Sequence, residues 1–336
     1  MPRNEKTEVV KSYLERLMLL SSDNTITVAK KTIARKIYEE NKELFMNLDE
    51  VRDIVRYHLG AAGERARRMI ADKKFMLNYK QHDLPEEEFD FDADPVLVEG
   101  GKSIGIMGDL HIPFHSNDAI DAAFNWFKEH KVDTIILNGD IIDFYMLSDF
   151  DKDPRRNVLT EIDSTLYFLD ELRNEFPTTK IYYKASNHEY RLERYMRRKS
   201  YELYGVPDFD FQNILKLKFF DIEYVPFKRR IKASHCYILH GDEYRGGSSS
   251  LVNPARWLFL KSRANAICGH FHRSSEHSEM NLNDELVATW SMGCCCGLHP
   301  FYNPYNNWNH GFARLRIRED NTFDVTNMKV FNGRIL

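Results

Sequence analysis

Ser103-Ile-Gly-Ile-Met-Gly-Asp-Leu-His111 and Thr134-Ile-Ile-Leu-Asn-Gly-Asp-Ile-Ile-Asp143 are the two stretches on which the fold turns. Each is a short apolar run that breaks into Gly-Asp, as a buried strand does when it emerges into a turn. Between them Ile120, Ala123, Phe124 and Phe127 recur at helical spacing, so the order is strand, helix, strand. The pattern continues outward. Ile162, Leu166 and Leu169 mark a longer helix, and Ile181 to Tyr183 a third strand that ends in Ser186-Asn187-His188-Glu189. Later apolar runs (224–227, 237–239, 266–268 and 286–290) come closer together, with fewer helices between them. Two of these runs also end in polar residues, His240-Gly241-Asp242 and Gly269-His270-Phe271-His272. The reading is an α/β fold with βαβ units and two sheets packed face to face.

Five strand ends therefore offer Asp, Asn or His. In α/β sheets such ends converge, so one shared site is expected. A mixture of carboxylate, amide oxygen and imidazole suits Mn²⁺, Fe or Zn²⁺ better than the all-oxygen shells of Mg²⁺ or Ca²⁺. The candidates are Asp109, His111, Asp140, Asn187, His240, His270 and His272. They are more than one ion accommodates with a position left open, and two ions bridged by one carboxylate account for the number. Such a pair acidifies water and neutralises phosphoryl charge, which is the chemistry of phosphoester hydrolysis.

The order Asp-x-His, Gly-Asp-x-x-Asp, Asn-His-Glu, His, Gly-His-x-His resembles that of the calcineurin-like metallophosphoesterases, across roughly residues 100 to 315. The resemblance implies a four-layer α-β-β-α sandwich and a two-metal-dependent hydrolase. The metal is expected to be Mn²⁺, with Fe, Zn or Ni as other occupants. By motif, one ion would be held by Asp109, His111, Asp140 and His272, the other by Asp140, Asn187, His240 and His270. His188 resembles the family's non-ligand histidine, which steadies the phosphate and protonates the leaving oxygen. Asp143 resembles its orienting partner. Two positions depart from the pattern: Ser186 replaces the usual glycine before Asn-His, and Phe144 stands where the phosphoprotein-phosphatase branch has an arginine. The segment from Gly108 to His115, with Asn187-His-Glu-Tyr-Arg191, is more similar to a branch found in phage and bacterial genomes, often labelled nuclease-like or simply of unassigned substrate. Arg191, Arg194 and Arg198 follow His188 at helical spacing, either as a solvated face paired with Glu189 and Glu193 or with Arg191 gripping substrate phosphate.

Residues 1–80 read as a separate helical module, compatible with a helix-turn-helix. Its first helix carries Val10 and Leu14, a second begins near Thr27 with Val28, Ile33 and Ile37 along one face, and a third follows an Asn47 cap with Val51 and Val55. An acidic, proline-flanked linker spans 81–99 and the phosphoesterase domain 100–336. The chain carries a net charge of −4, yet residues 1–75 hold 16 Lys and Arg against 12 Asp and Glu. Lys30, Lys31, Arg35, Lys36, Arg52, Arg56 and Arg65 to Arg68 could follow the backbone of DNA or RNA. Cys236 and Cys268 lie in apolar runs and read as core; Cys294, Cys295 and Cys296 lack zinc-site spacing and receive no role. With no apolar run long enough to cross a bilayer, a cytoplasmic protein without a membrane partner is expected. The Gly246 to Ser250 loop is a candidate flap. Trp308, His310 and Phe312 are either pocket walls or core. The leading functional expectation is a phosphodiesterase acting on nucleic acid or nucleotides. The alternatives are a phosphomonoesterase or small-nucleotide phosphatase, and a non-enzymatic DNA-binding or scaffolding protein.

Overall fold

The computed structural model describes residues 3–19, 26, 28–60, 63–64, 93–247 and 252–336. Thr27, Arg65 to Arg68, Ser248 to Ser250 and the acidic part of the linker through residue 92 lie outside them. The chain divides into two compact units, Met1–Phe89 and Asp90–Leu336.

The first unit packs α1 (Arg3–Leu19), α2 (Lys30–Glu40) and α3 (Leu48–Leu59) around Val10, Leu14, Ile33, Ile37, Phe45, Val51 and Val55. The start of α3 is set locally: the Asn47 side chain accepts from the Glu50 N–H at 2.9 Å, and Glu50 in turn accepts from the Met46 N–H. Glu50 also pairs with Lys6 at 2.7 Å, tying α1 to α3. Val28 does not join the stripe expected of it. It precedes the helix and is exposed, because α2 starts only after Ala29.

In the second unit β1 (Val96–Leu97), β2 (Ser103–Met107), α4 (Asn117–Glu129), β3 (Thr134–Leu137), α5 (Val158–Glu175), β4 (Lys180–Lys184), α6 (Tyr190–Lys199), α7 (Phe211–Ile214) and β5 (Ile222–Val225) come first. Then follow β6 (Ile231–Ala233), β7 (Cys236–Ile238), α8 (Pro254–Ser262), β8 (Ala266–Cys268), β9 (Ser275–Met280), β10 (Leu286–Ser291), β11 (His310–Ile317), β12 (Phe323–Phe331) and β13 (Arg334–Ile335). They make two sheets, ordered β13-β12-β11-β2-β3-β4-β5 and β1-β6-β7-β8-β10-β9. Val96 and Leu97 pair with Ile231 and Lys232, so the last part of the segment expected to be linker is an edge strand of the second sheet.

Alternation along the strands builds the layers. Ile104, Ile106, Ile136 and Tyr182 face the other sheet, where Ile231, Ile238 and Ile267 meet them. Their neighbours Ile135, Leu137, Ile181 and Tyr183 turn the other way onto α4 and α5, against Phe127 and Leu169. On the far side Ala266 and Cys268 pack on Trp257 and Leu258 of α8. The strands read as unbroken apolar runs because both faces are covered. The result is a four-layer α-β-β-α sandwich, with Cys236 and Cys268 buried in it.

Candidate metal centre

Strands β2, β3, β4 and β5 are parallel and in register, with Met107 beside Leu137 and Leu137 beside Tyr183. Parallel pairing puts every carboxyl end on one edge, so Asp109, Asp140 and Asn187 emerge side by side. The loops beyond them stay paired: Asp109 N–H donates to Gly139 O at 3.0 Å and His111 N–H to Asp140 O at 2.9 Å. Asn138 links the sheets. Its side-chain amide donates to Leu239 O at 2.8 Å, while its carbonyl accepts from His240 Nδ1 at 2.8 Å. Gly269 N–H donates to His240 O, which brings the β8 end alongside.

The backbone at this junction is unusual. Asp109, His111, Asp140, His270 and His272 all have positive φ, between 49° and 68°. Left-handed non-glycine residues are uncommon and costly, and here they turn successive side chains toward one point. Gly139, with φ 84°, is required outright: a Cβ there would lie 2.6 Å from His240 Nδ1.

Nine of the ten residues expected at the site meet here, and the tenth, Asn187, lies between Ser186 and His188 in the loop after β4. His111 Nε2 is 3.1 Å from His272 Nε2, and Asp109 Oδ1 is 3.2 Å from His272 Nε2. Asp140 Oδ2 lies 3.3 Å from His240 Nε2 and 3.7 Å from His111 Nε2, between the two halves. His270 Nδ1 is 3.2 Å from His240 Nε2. The Asn187 Oδ1 is buried and has no hydrogen-bond partner among the described residues. Lone-pair atoms held at 3.1–3.3 Å match adjacent ligands on ions with bonds of about 2.1 Å, and an orphaned buried amide oxygen asks for a cation. The residues present therefore fit a divalent metal, with Asp140 Oδ2 facing both His111 and His240.

The ring orientations have identifiable causes. Asp143 Oδ1 is 3.1 Å from His111 Nδ1, while His188 Nδ1 lies 2.9 Å from the Asp143 main-chain O and 3.0 Å from its Oδ1, so Asp143 orients both rings. Burial pushes the Asp143 carboxyl up, but the hydrogen bonds from His111 and His188 outweigh it and hold it well below the usual range. Burial pushes His188 down; the charges of Asp140 and Asp143 overcome it, and its pKa is raised. Arg191 opposes that shift. Its Nη1 donates to Asp143 O at 2.7 Å and its Nη2 to His188 Nε2 at 3.0 Å, a contact that needs Nε2 unprotonated.

Several residues that matter here carried no role in the sequence. Glu189 was expected on a solvated helix face, yet it is buried, and its carboxylate accepts from the N–H groups of Asp140, Ile141 and Ser186 and from the Tyr183 hydroxyl. Only Glu193 makes the expected intrahelical pair, with Arg197 at 3.3 Å. Arg194 and Arg198 pair with Asp149 instead. Glu243 accepts from His240 N–H and Gly241 N–H and pairs with the fully buried Lys184 at 2.8 Å. Ser186 needs no strained backbone; its hydroxyl lies between Asp140 and Glu189. Phe144 is buried in the core. Cys296, given no role, has its Sγ 3.8 Å from His272 Nδ1. Trp308 sets its ring edge-on against His272 with centroids 4.2 Å apart, whereas Phe312 is core and His310 bonds Cys296 O. The presence of Glu in Asn-His-Glu was the one signal that could have flagged Glu189.

A four-layer sandwich with a histidine- and aspartate-rich cluster at its strand ends defines a metal-dependent phosphoesterase. Residues 102–293 match the family model for calcineurin-like phosphoesterases, and the chain belongs to that family. It is a metal-dependent hydrolase of phosphoester bonds. A curated relative, Gene 54 protein of Mycobacterium phage L5, is 24% identical over 231 residues, covering 64% of this chain and 89% of the phage protein. Among solved structures, vacuolar protein sorting 29 from Cryptosporidium parvum aligns with 13% identity over 70% of this chain and 95% of its own, at a TM-score of 0.37. Yfce, a phosphoesterase from E. coli, aligns with 11% identity over 67% of this chain and 98% of its own, at 0.30. No helix among the described residues is long and apolar enough to cross a membrane.

Proposed function

We propose that this protein is a two-metal phosphodiesterase acting on nucleic acid or nucleotides, with its N-terminal helices engaging the polymer. The observation that carries the hydrolytic reading is the convergence of Asp109, His111, His240, His270 and His272 about Asp140. Asp109, His111, Asp140 and His272 would hold one ion, and Asp140, Asn187, His240 and His270 the other; Mn²⁺ suits this donor set. When bound, the ions supply Lewis acidity and a nucleophilic water.

The chain's own residues do the rest. Asp143 holds His188 by Nδ1, leaving Nε2 aimed at the substrate space, where it can hydrogen-bond phosphate and pass a proton to the leaving oxygen. Arg191 sits beside His188, and its guanidinium can move from His188 Nε2 to a phosphoryl oxygen. For the polymer, support comes from the first unit, where Lys30 and Lys31 of α2 and Arg52 and Arg56 of α3 line one hollow of about 450 Å³. Basic side chains so gathered track phosphates.

The test compares hydrolysis of bis-p-nitrophenyl phosphate and p-nitrophenyl phosphate in Mn²⁺ by the wild type and Asp140→Asn. Diester preference that the variant loses supports the reading. Monoester preference moves the substrate to phosphate monoesters, and silence on both with metal bound refutes a general esterase.

A further inference from the structure

We propose that the segment from Gly297 to Asn309 forms an aromatic shelf at the metal centre, on which a base of single-stranded nucleic acid stacks through Tyr302 and Trp308. The inference rests on the nuclease-like reading above and names the part of the substrate that the site grips besides phosphate.

Three large aromatic rings on this loop face solvent. Phe301 and Tyr305 are essentially fully exposed and Tyr302 is 77% exposed. Scattered exposed aromatics need no explanation, but these belong to a loop built to hold its shape. The Asn306 amide donates to Leu298 O and Asn303 O at 2.7 Å each, and its Oδ1 accepts from Trp308 N–H at 2.8 Å. His299 Nδ1 caps Pro304 O at 3.0 Å. Both ends are fastened to the centre: Gly297 N–H donates to Phe114 O and Asn309 N–H to His272 O.

The rings then form a chain inward. Tyr302 lies 6.4 Å from Trp308, and Trp308 stands 4.2 Å from His272, centroid to centroid. The loop thus offers π-faces next to His272, and Arg191 offers a guanidinium next to His188. A phosphodiester with an unpaired base matches both. A phosphorylated side chain or a small phosphate ester would leave the rings idle. Stacking on an aromatic side chain contributes about 1–3 kcal/mol per base whatever the base, which converts to roughly 5- to 150-fold in affinity.

The experiment measures binding of two single-stranded oligonucleotides of equal length to the full-length, Mn²⁺-loaded protein carrying His188→Gln to suppress turnover. One is oligo-dT, the other an abasic backbone of the same charge. The expected result is about tenfold or greater preference for oligo-dT, lost in Tyr302→Ala and kept in Tyr302→Phe; Trp308→Phe, which preserves stacking, should keep it too. Equal affinity for the two strands, or a preference that survives Tyr302→Ala, overturns the shelf. Failure of the catalytic reading is a separate result: the unmodified enzyme would leave bis-p-nitrophenyl phosphate uncut while the base preference still appeared.

Discussion

Replacing Glu189 with alanine should loosen the metal centre without touching a metal ligand. The N–H groups of Ile141 and Ser186 and the Tyr183 hydroxyl donate to this carboxylate at 2.9–3.0 Å, and all three lie in buried surroundings. Asp140 N–H keeps a second acceptor, the Ser186 hydroxyl at 2.8 Å. A buried donor left without a partner costs about 1–3 kcal/mol, so three of them give about 3–9 kcal/mol before water enters the space. Taking the lower end, and about 2–4 °C per kcal/mol for a domain of this size, the melting temperature should fall by roughly 6–12 °C. Because Glu189 steadies Asp140 through the backbone and through Ser186, Mn²⁺ affinity should also drop, by about 10- to 100-fold. Thermal unfolding after EDTA treatment and calorimetric titration with Mn²⁺ read the two effects separately. Glu193→Ala, four residues on in α6, breaks an exposed pair and should change stability by less than about 0.5 kcal/mol. If Glu189→Ala melts within about 2 °C of the wild type and binds Mn²⁺ equally well, the assignment of Glu189 as the organiser of these loops is wrong.

Glu161 is buried, and burial together with the charge of Asp143 raises its carboxyl to about 7 from the ordinary 4.5. Its folded form therefore favours the proton: the associated stability is complete below about pH 4.5 and is lost as pH rises through 7, by about 3 kcal/mol in all. In EDTA, Glu161→Gln should accordingly stabilise the protein at pH 8 and hardly at pH 4.5, and a difference in melting temperature that ignores pH would sink the idea. Adding Mn²⁺ to about a hundred times its Kd should stabilise the stripped wild type by about 2.7 kcal/mol and leave Asp140→Asn nearly unmoved; equal stabilisation of both would place the metal elsewhere. Arg191 lowers the pKa of His188, so Arg191→Ala should shift the alkaline limb of the pH–rate profile for a model ester to higher pH as well as weaken turnover. A downward shift would mean that His188 is not the group titrating there.

What the sequence determined by itself was local. A strand that ends in Gly-Asp or Asn-His announces both its own terminus and the polar residue it will present, because strand, turn and side chain lie within a few positions of one another. For the same reason α3 was legible from its Asn47 cap, whereas the start of α2 was misplaced where Val28 carries apolar character without a partner. Tertiary structure decided whatever depends on distant segments meeting. Val96 and Leu97 look like the tail of an acidic linker and become a strand only because Ile231 and Lys232 are there to pair with them. Glu189 is one charged residue among several near a helix start until the β3 loop supplies the N–H groups of Asp140 and Ile141, some 48 positions away in the chain. Asp143 serves two histidines, and Cys296 reaches His272, through contacts that no periodicity encodes. Periodicity reports which face of an element is apolar; hydrogen bonds between loops depend on where the elements are finally set, and only the assembled sandwich sets them.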